Sequence, residues 1–159
     1  MANSSTFFPI LMLLFSCNVY TNACYPSIIS FGDSLADTGN LKEMASKSNV
    51  QPPHFLFPPY GETFFSKPTG RCSNGRLIID FVAESLGLPL IPPSLGSETN
   101  VHVTELGEGV NYAVAGATAL DSSFHEARGV GIPTNASLGV QLGWFKDSLS
   151  SICSAVSGN

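Results

Sequence analysis

The sequence predicts an α/β fold with a parallel sheet. Two short apolar runs, residues 28–31 and 109–114, have the β-branched and aromatic content of buried strands. A helical pattern follows each of them, over residues 75–86 and 138–152, where apolar side chains recur at helical spacing. Strand, helix, strand, helix in this order is typical of parallel strands joined by helical connections. The 159 residues suffice for about one domain.

The same pattern predicts the ends and the apolar faces of the two helices. Ser73 and Asn74 can cap the first helix, and Gly87 ends it. Its expected apolar face is Leu77, Ile78, Phe81, Val82 and Leu86. The second helix is expected to start at Ser137 and to close near Cys153. Its expected apolar stripe, with Trp144 beside it in the core, is Leu138, Leu142, Phe145, Leu149 and Ile152.

Two segments between the strands lack a clear pattern. Residues 37–47 are polar and could begin a helix. Residues 49–70 are rich in proline, glycine and aromatic residues, which excludes a regular helix or a central strand. A loop of this length is often functional, but it can equally be a rigid surface cover. Carbohydrate binding through the aromatic residues 54–65 is a further interpretation.

Composition and the N-terminal segment narrow the class of protein. The formal net charge is −5 and the Lys and Arg residues are scattered, which argues against a nucleic-acid partner. Residues 1–23 are interpreted as a secretory signal, because an apolar core precedes the cleavage pattern Thr-Asn-Ala at 21–23. A buried N-terminal helix is the alternative. The apolar core is too short to span a bilayer, and no later stretch is expected to be transmembrane.

After cleavage, residues 24–159 keep an odd number of cysteines. With Cys24, Cys72 and Cys153 present, either one thiol is free or its partner lies outside this chain. Their spacing fits no zinc site, so no metal is expected. Asn135 opens an Asn-Ala-Ser sequence, which is a glycosylation acceptor typical of a surface loop in the secretory pathway.

The candidate site consists of the two sharp turns that follow the two strands. Ser34 ends the first turn and is a candidate nucleophile at the carboxyl edge of the sheet. Gly116 lies in the second turn, and its N–H and that of Ser34 could both point at an oxyanion. The alternatives are a turn or cap role for Ser34 and a tight turn for Gly116. Nearby Asp33, Asp37 and Asn40 are interpreted as structural residues that cap and turn the segment.

Five segments, in order along the chain, resemble the plant GDSL esterase/lipases of the SGNH hydrolase superfamily. They are Phe-Gly-Asp-Ser-Leu-Ala-Asp-Thr-Gly-Asn at 31–40, Pro-Tyr-Gly-Glu-Thr-Phe-Phe at 59–65, Gly-Arg-Cys-Ser-Asn-Gly-Arg-Leu-Ile-Ile-Asp-Phe at 70–81, Gly-Val-Asn-Tyr-Ala-Val-Ala-Gly-Ala at 109–117 and Gln-Leu-Gly-Trp-Phe at 141–145. The sequence looks closest to the branch that contains sinapine esterase and acetylajmalan esterase. The resemblance implies the N-terminal portion of a flavodoxin-like three-layer α/β/α fold, incomplete in this chain.

The resemblance also implies an activity and assigns residues to it. Ser34 matches the nucleophile of an ester hydrolase and one oxyanion donor, and Gly116 matches a second donor. The expected substrate is a small-molecule ester, with no cofactor, no metal and no obligate protein partner. The expected location is outside the cell, in the cell wall or in the vacuole, reached through the secretory pathway.

Two blocks of the family have no match in this chain. One is Gly-x-Asn-Asp, whose Asn is the third oxyanion donor, and the other is Asp-x-x-His, which holds the catalytic base. None of the three histidines has an aspartate three positions before it: Gln51 precedes His54, Thr99 precedes His102 and Ser122 precedes His125. The expectation is therefore the N-terminal part of a longer protein, in which Cys153 can pair with a cysteine beyond residue 159. The alternative function is a truncated, catalytically silent isoform or a binding module, because serine without a base is a poor nucleophile.

Overall fold

The structure is a computed structural model that describes residues 25–48, 51–96 and 109–156, with side chains described up to residue 149. The interpreted signal at residues 1–23, and also Cys24 and His102, lie outside these ranges. The Cys153 side chain lies outside the described side chains. Within the described ranges, no helix combines the length and the apolar character that crossing a bilayer requires.

The centre of the fold is a parallel pair of strands, which confirms the predicted fold class. Strand β1 (Ile29–Ser30) pairs with strand β2 (Val110–Asn111), so that Ile29 lies opposite Val110. On the other side of β2, Pro93 forms an isolated parallel bridge with Asn111. The strand β2 segment therefore has neighbours on both sides, and residues 110–115 are all buried. Both strands are shorter than the apolar runs that predicted them.

Within the described ranges, the chain also forms four helices and one short 3-10 turn. In chain order the elements are α1 (Asn40–Ser46), a 3-10 turn (His54–Leu56), α2 (Ile78–Ser85), α3 (Ser122–Glu126) and α4 (Leu138–Val156). Helices α1, α2 and α4 were expected from the sequence, whereas α3 was not. Apart from the 3-10 turn, the described part of the proline-rich loop has no regular element, as its prolines require.

Helix α2 begins later than the sequence suggested, and the prediction of its buried face is largely wrong. Its N-terminal cap is Leu77, whose backbone N–H donates to the Asp80 carboxylate at 2.8 Å, so Ser73 and Asn74 are not the caps. On the expected face Leu77 is buried, but Ile78, Phe81 and Val82 are exposed. The buried helical residues are Asp80 and Ala83. A buried ion pair with Arg71 turns Asp80 inward, and this sets the rotation of the helix.

Helix α4 departs from its expected stripe in the same way. Ser137 is buried immediately before the helix, and its hydroxyl accepts from the Val140 N–H at 3.3 Å, which confirms the predicted start. Its leucines at 138, 142 and 149 are exposed, whereas Phe145 is half-buried and contacts the rings of Phe31 and Tyr112. The position that is fully buried is the polar Gln141.

Candidate active site

Ser34 lies in a tight turn directly after strand β1. The Asp33 carbonyl accepts hydrogen bonds from the N–H groups of Ala36 and Asp37, at 3.1 and 2.9 Å. The Asp33 carboxylate accepts from the Leu35 N–H at 3.0 Å, as expected for a residue that shapes the turn. The turn leaves Ser34 half-buried. Within the described chain, the Ser34 N–H has no hydrogen-bond partner and is free to serve a ligand.

Gly116 lies in the equivalent turn after strand β2. The Val114 carbonyl accepts from the Ala117 N–H at 3.0 Å, which closes the turn, and Gly116 has a φ of +83°. A Cβ atom at this position would lie 2.8 Å from Cβ of Pro133. Glycine is therefore required by the backbone conformation and by the neighbouring loop, in addition to any close approach of a substrate. Like Ser34, Gly116 has an N–H that bonds to no described residue.

Asp37 connects the two turns. Its carboxylate accepts four backbone hydrogen bonds: from Gly39 at 2.7 Å, Asn40 at 2.6 Å, Leu41 at 3.1 Å and Ala115 at 2.7 Å. Burial raises the pKa of Asp37, and these N–H donors oppose that rise. Because the side chain is fully buried and saturated with backbone donors, it acts as an anchor, which agrees with the structural role expected for it.

Two buried asparagines complete the connection between the turns and strand β2. The Asn40 amide donates to the carbonyls of Asn111 and Ala113, at 2.7 and 2.8 Å. The Asn111 amide donates to the Thr38 hydroxyl at 3.1 Å. This role of Asn111 was not predicted from the sequence, although one signal was present. A polar amide in the middle of an apolar strand has to find partners when it is buried.

Ser34 and Gly116 line the same cleft, a cavity of about 980 Å³. Most of its lining is apolar and comes from α1, the 3-10 turn and the loop before α4: Leu41, Met44, Ala45, Phe55, Ile132 and Pro133. His54 and Asn135 also line it. The proline-rich loop thus contributes to the lining of the cleft through its 3-10 turn.

The described histidines differ in position. His54 lines the cleft, and its ring packs edge-on against Phe55 and Tyr60. His125 is not among the residues that line the cleft, and its Nε2 has no hydrogen-bond partner in the described part of the protein. No hydrogen bond joins the Ser34 hydroxyl to either imidazole among the described contacts. The described part of the chain therefore brings the serine and two N–H groups into one cleft, and no described histidine is bonded to the serine hydroxyl.

Cys72 is a half-buried thiol in the same cleft, and it forms no disulfide within the described residues. Burial, together with the negative charges of Asp37 and Asp33, raises the pKa of Cys72 to about 11. The thiol is therefore protonated at neutral pH and is a weak nucleophile there. Across the described ranges, no three His, Cys, Asp or Glu side chains cluster in a way that could hold a metal ion.

Comparison of the sequence with known proteins identifies a family and several relatives. The sequence model of the GDSL-like lipase/acylhydrolase family matches residues 28–155. GDSL esterase/lipase At1g28580 of Arabidopsis thaliana is 60% identical over 134 residues, which are 84% of this chain and 33% of that protein. Sinapine esterase of Brassica napus is 54% identical over 134 residues, again 84% of this chain and 33% of that protein.

The chain thus spans about a third of the length of the curated relatives it matches. No solved structure gives a significant match. A family match over most of the chain, with both turns of the cleft inside it, decides the assignment. The chain belongs to the GDSL-like lipase/acylhydrolase family.

Proposed function

We propose that the protein containing this chain is a secreted ester hydrolase in which Ser34 is the nucleophile. The observation that carries the proposal is the shared cleft, where the Ser34 hydroxyl lies with two unbonded N–H groups, its own and that of Gly116. The developing negative charge of an ester carbonyl in this cleft needs hydrogen-bond donors, and these two N–H groups are proposed to supply them. Family membership supplies the class of reaction.

The proposed reaction has two steps. The Ser34 oxygen attacks the ester carbonyl, its proton passes to a base, and the alcohol leaves with a proton, so that an acyl-enzyme remains. Water then attacks the acyl-enzyme, which releases the acid and restores the serine. The substrate is proposed to be a small-molecule ester, because the cleft is mostly apolar and because one relative is named a sinapine esterase.

A second candidate is a catalytically silent chain or a binding module. It is favoured by the histidines, since none stands in an Asp-x-x-His sequence and none is bonded to the Ser34 hydroxyl in the described contacts. Loss of the triad partners leaves only the effects of the oxyanion donors and of binding, which is a loss of several orders of magnitude. The two candidates differ in whether Ser34 is activated.

The test is covalent labelling of the protein containing this chain, produced at full length through a eukaryotic secretory pathway, with a fluorophosphonate probe. The hydrolase proposal predicts labelling of the peptide that contains Ser34 and turnover of p-nitrophenyl acetate. Both should be lost in Ser34→Ala and retained in Cys72→Ser, which removes the other nucleophile of the cleft. A folded chain that is neither labelled nor active would favour the silent candidate, and labelling that persists in Ser34→Ala would reject the assigned nucleophile.

Secretion and glycosylation at Asn135 are part of the proposal. Asn135 is exposed, and it lies on the rim of the cleft. Production through a secretory pathway is expected to add one glycan here, which peptide-N-glycosidase removes and which Asn135→Gln prevents. A secreted wild-type chain whose mass equals that of Asn135→Gln apart from the substitution would contradict the glycan.

A further inference from the structure

Gln141 is a fully buried amide that is bonded to the backbone next to the candidate nucleophile. Its Oε1 accepts from the Gly32 N–H at 2.9 Å, and its Nε2 donates to the Gly32 carbonyl at 2.8 Å. The two residues are 109 positions apart in the sequence. Both polar groups of the Gly32 backbone are therefore bonded to a single side chain from helix α4, and the Gly32 carbonyl also accepts from the Val114 N–H at 3.1 Å.

Gly32 is a position where the backbone needs an external restraint. It follows strand β1, precedes Ser34 by two residues and has a φ of +143°. A Cβ atom here would meet nothing closer than 3.8 Å, so glycine is required by its conformation and not by space. Glycine has more backbone freedom than any other residue, and that freedom has to be removed if Ser34 is to hold one position.

Gln141 also reaches the loop that supports Gly116. Its Nε2 donates to the Ala136 carbonyl at 3.1 Å. Residues 133–136 form one short segment, in which Pro133 lies against Gly116 and leaves no room for a Cβ atom there. The amide is thus bonded to the turn that carries the nucleophile and to the loop beside the second N–H donor.

We propose that Gln141 is a positioning residue for the active site: its amide fixes the orientation of the peptide groups at Gly32 and thereby the position of the Ser34 hydroxyl and N–H. The expected effect of Gln141 on the labelling rate of Ser34 rests on the proposed function, whereas its effect on the position of Ser34 does not. A leucine or methionine would fill the same volume in a helix without burying polar atoms, so the choice of an amide needs a reason. The paired bonds to Gly32 provide that reason.

The test uses two substitutions of similar size in the full chain. Gln141→Met removes every hydrogen bond of the amide. Gln141→Glu can keep the two bonds to Gly32 only while its carboxyl is protonated, because the protonated group has one donor and one acceptor, and it loses the bond to Ala136. Burial raises the pKa of such a carboxyl above its ordinary value. Leu142→Met, at an exposed position of the same helix, is the matched control.

Two readouts are measured between pH 5 and pH 8, the rate of fluorophosphonate labelling and the NMR signals of the Gly32 amide and the Ser34 Cβ. We expect Gln141→Met to label at least about 10-fold more slowly than wild type at every pH, since small misplacement of a reacting group costs up to about 100-fold. Gln141→Glu should label within about 3-fold of wild type at pH 5 and fall toward the methionine variant at pH 8. Its Gly32 and Ser34 signals should shift with the same midpoint.

Labelling rates are divided by the folded fraction from urea unfolding, which separates positioning from stability. If the corrected rate of Gln141→Met equals that of wild type, or if the Ser34 signal of Gln141→Glu stays unchanged while the introduced carboxyl titrates, the positioning role is rejected. A wild-type chain that does not label at all would count against the proposed hydrolase. The NMR readout would still decide whether Gln141 sets the position of Ser34.

Discussion

The Asp37 carboxylate accepts a hydrogen bond of 2.7 Å from the backbone N–H of Ala115. The two residues are separated by 78 positions in the sequence, and each lies within three residues of a candidate catalytic group, Ser34 or Gly116. This bond joins the turn after β1 to the turn after β2. The relative placement of the two N–H donors therefore depends on one buried carboxylate as well as on the strand pairing.

Replacing Asp37 with asparagine is expected to destabilise the fold. Each carboxylate oxygen accepts two backbone N–H groups, so whichever oxygen becomes an NH₂ group leaves two buried donors without an acceptor. At about 1–3 kcal/mol for each of the two unsatisfied groups, Asp37→Asn should cost about 2–6 kcal/mol in the free energy of unfolding. The measurement is urea unfolding followed by circular dichroism.

Asp33→Asn is the matched control for Asp37→Asn. The Asp33 side chain is exposed and accepts one hydrogen bond, which an amide oxygen can also accept. We expect a change within about 0.5 kcal/mol. Equal losses of stability in the two variants would show that Asp37 is not the anchor described here.

The ion pair between Arg71 and Asp80 is buried, whereas the pair between Arg76 and Glu84 is exposed. Breaking the buried pair should therefore lower the free energy of unfolding far more than breaking the exposed pair. Arg71 donates to both carboxylate oxygens, at 2.9 and 2.7 Å, and both side chains are almost completely buried. Asp80→Asn leaves a buried guanidinium without a counter-charge, and the expected loss is about 3–5 kcal/mol in the free energy of unfolding. Thermal and urea unfolding of the variant measure this loss.

Glu84→Gln tests the other pair and serves as the control. Glu84 lies 2.9 Å from Arg76, but its side chain is 64% exposed. Water and salt screen such a pair, so the expected loss is at most about 1 kcal/mol. A cost for Glu84→Gln as large as that for Asp80→Asn would contradict the view that burial determines the contribution.

These two pairs also explain why the expected face of α2 was wrong. The periodicity of Ile78, Phe81 and Val82 is a pattern of apolar positions, and it carries no information about a pairing such as that of Asp80 with Arg71. A buried charge cannot be left without its partner, so the partner decides which face turns inward. The apolar residues then remain on the exposed side in the described structure.

The strands and turns were predictable for the opposite reason. Residues 28–31 and 109–114 are short apolar runs that end in turn residues, and both the pairing and the chain direction follow from the order of elements. The two site residues, Ser34 and Gly116, come together because parallel strands end at one edge of the sheet. The hydrogen bonds of Gln141 to Gly32 could not be predicted from the sequence, since nothing in the helix pattern identifies a partner 109 residues away.

Alkylation of Cys72 should show an unusual pH dependence in the folded protein. The pKa of Cys72 is raised to about 11 because of burial and the charges of Asp37 and Asp33, so iodoacetamide should react slowly at pH 8 and faster up to about pH 11. The protonated Cys72 thiol adds to the free energy of unfolding below about pH 9. This contribution is lost as the pH rises toward 11, because the thiol ionises at a lower pH in the unfolded chain than in the folded one.

The alkylation rate is measured by mass spectrometry of the peptide that contains Cys72, which separates it from the other cysteines. In urea the rate should follow an ordinary thiol with a pKa near 9.0. If the folded and unfolded chains react at the same rate at pH 8, the thiol is not shielded in the way described.

Gly116→Ala should damage the site, whereas Gly143→Ala, its matched control, should not. A methyl group at position 116 would lie 2.8 Å from Cβ of Pro133, on a residue whose φ of +83° already disfavours a side chain. The strain should move the N–H of residue 116 and reduce fluorophosphonate labelling of Ser34 by about 100-fold or more, the loss typical of an oxyanion donor.

Gly143 lies within α4, where an added methyl group would meet nothing within 4 Å, so alanine there should stabilise the chain by up to about 1 kcal/mol through helix propensity. Both variants are compared in labelling rate and urea unfolding, and a Gly116→Ala chain that labels at the wild-type rate would remove Gly116 from the proposed oxyanion site.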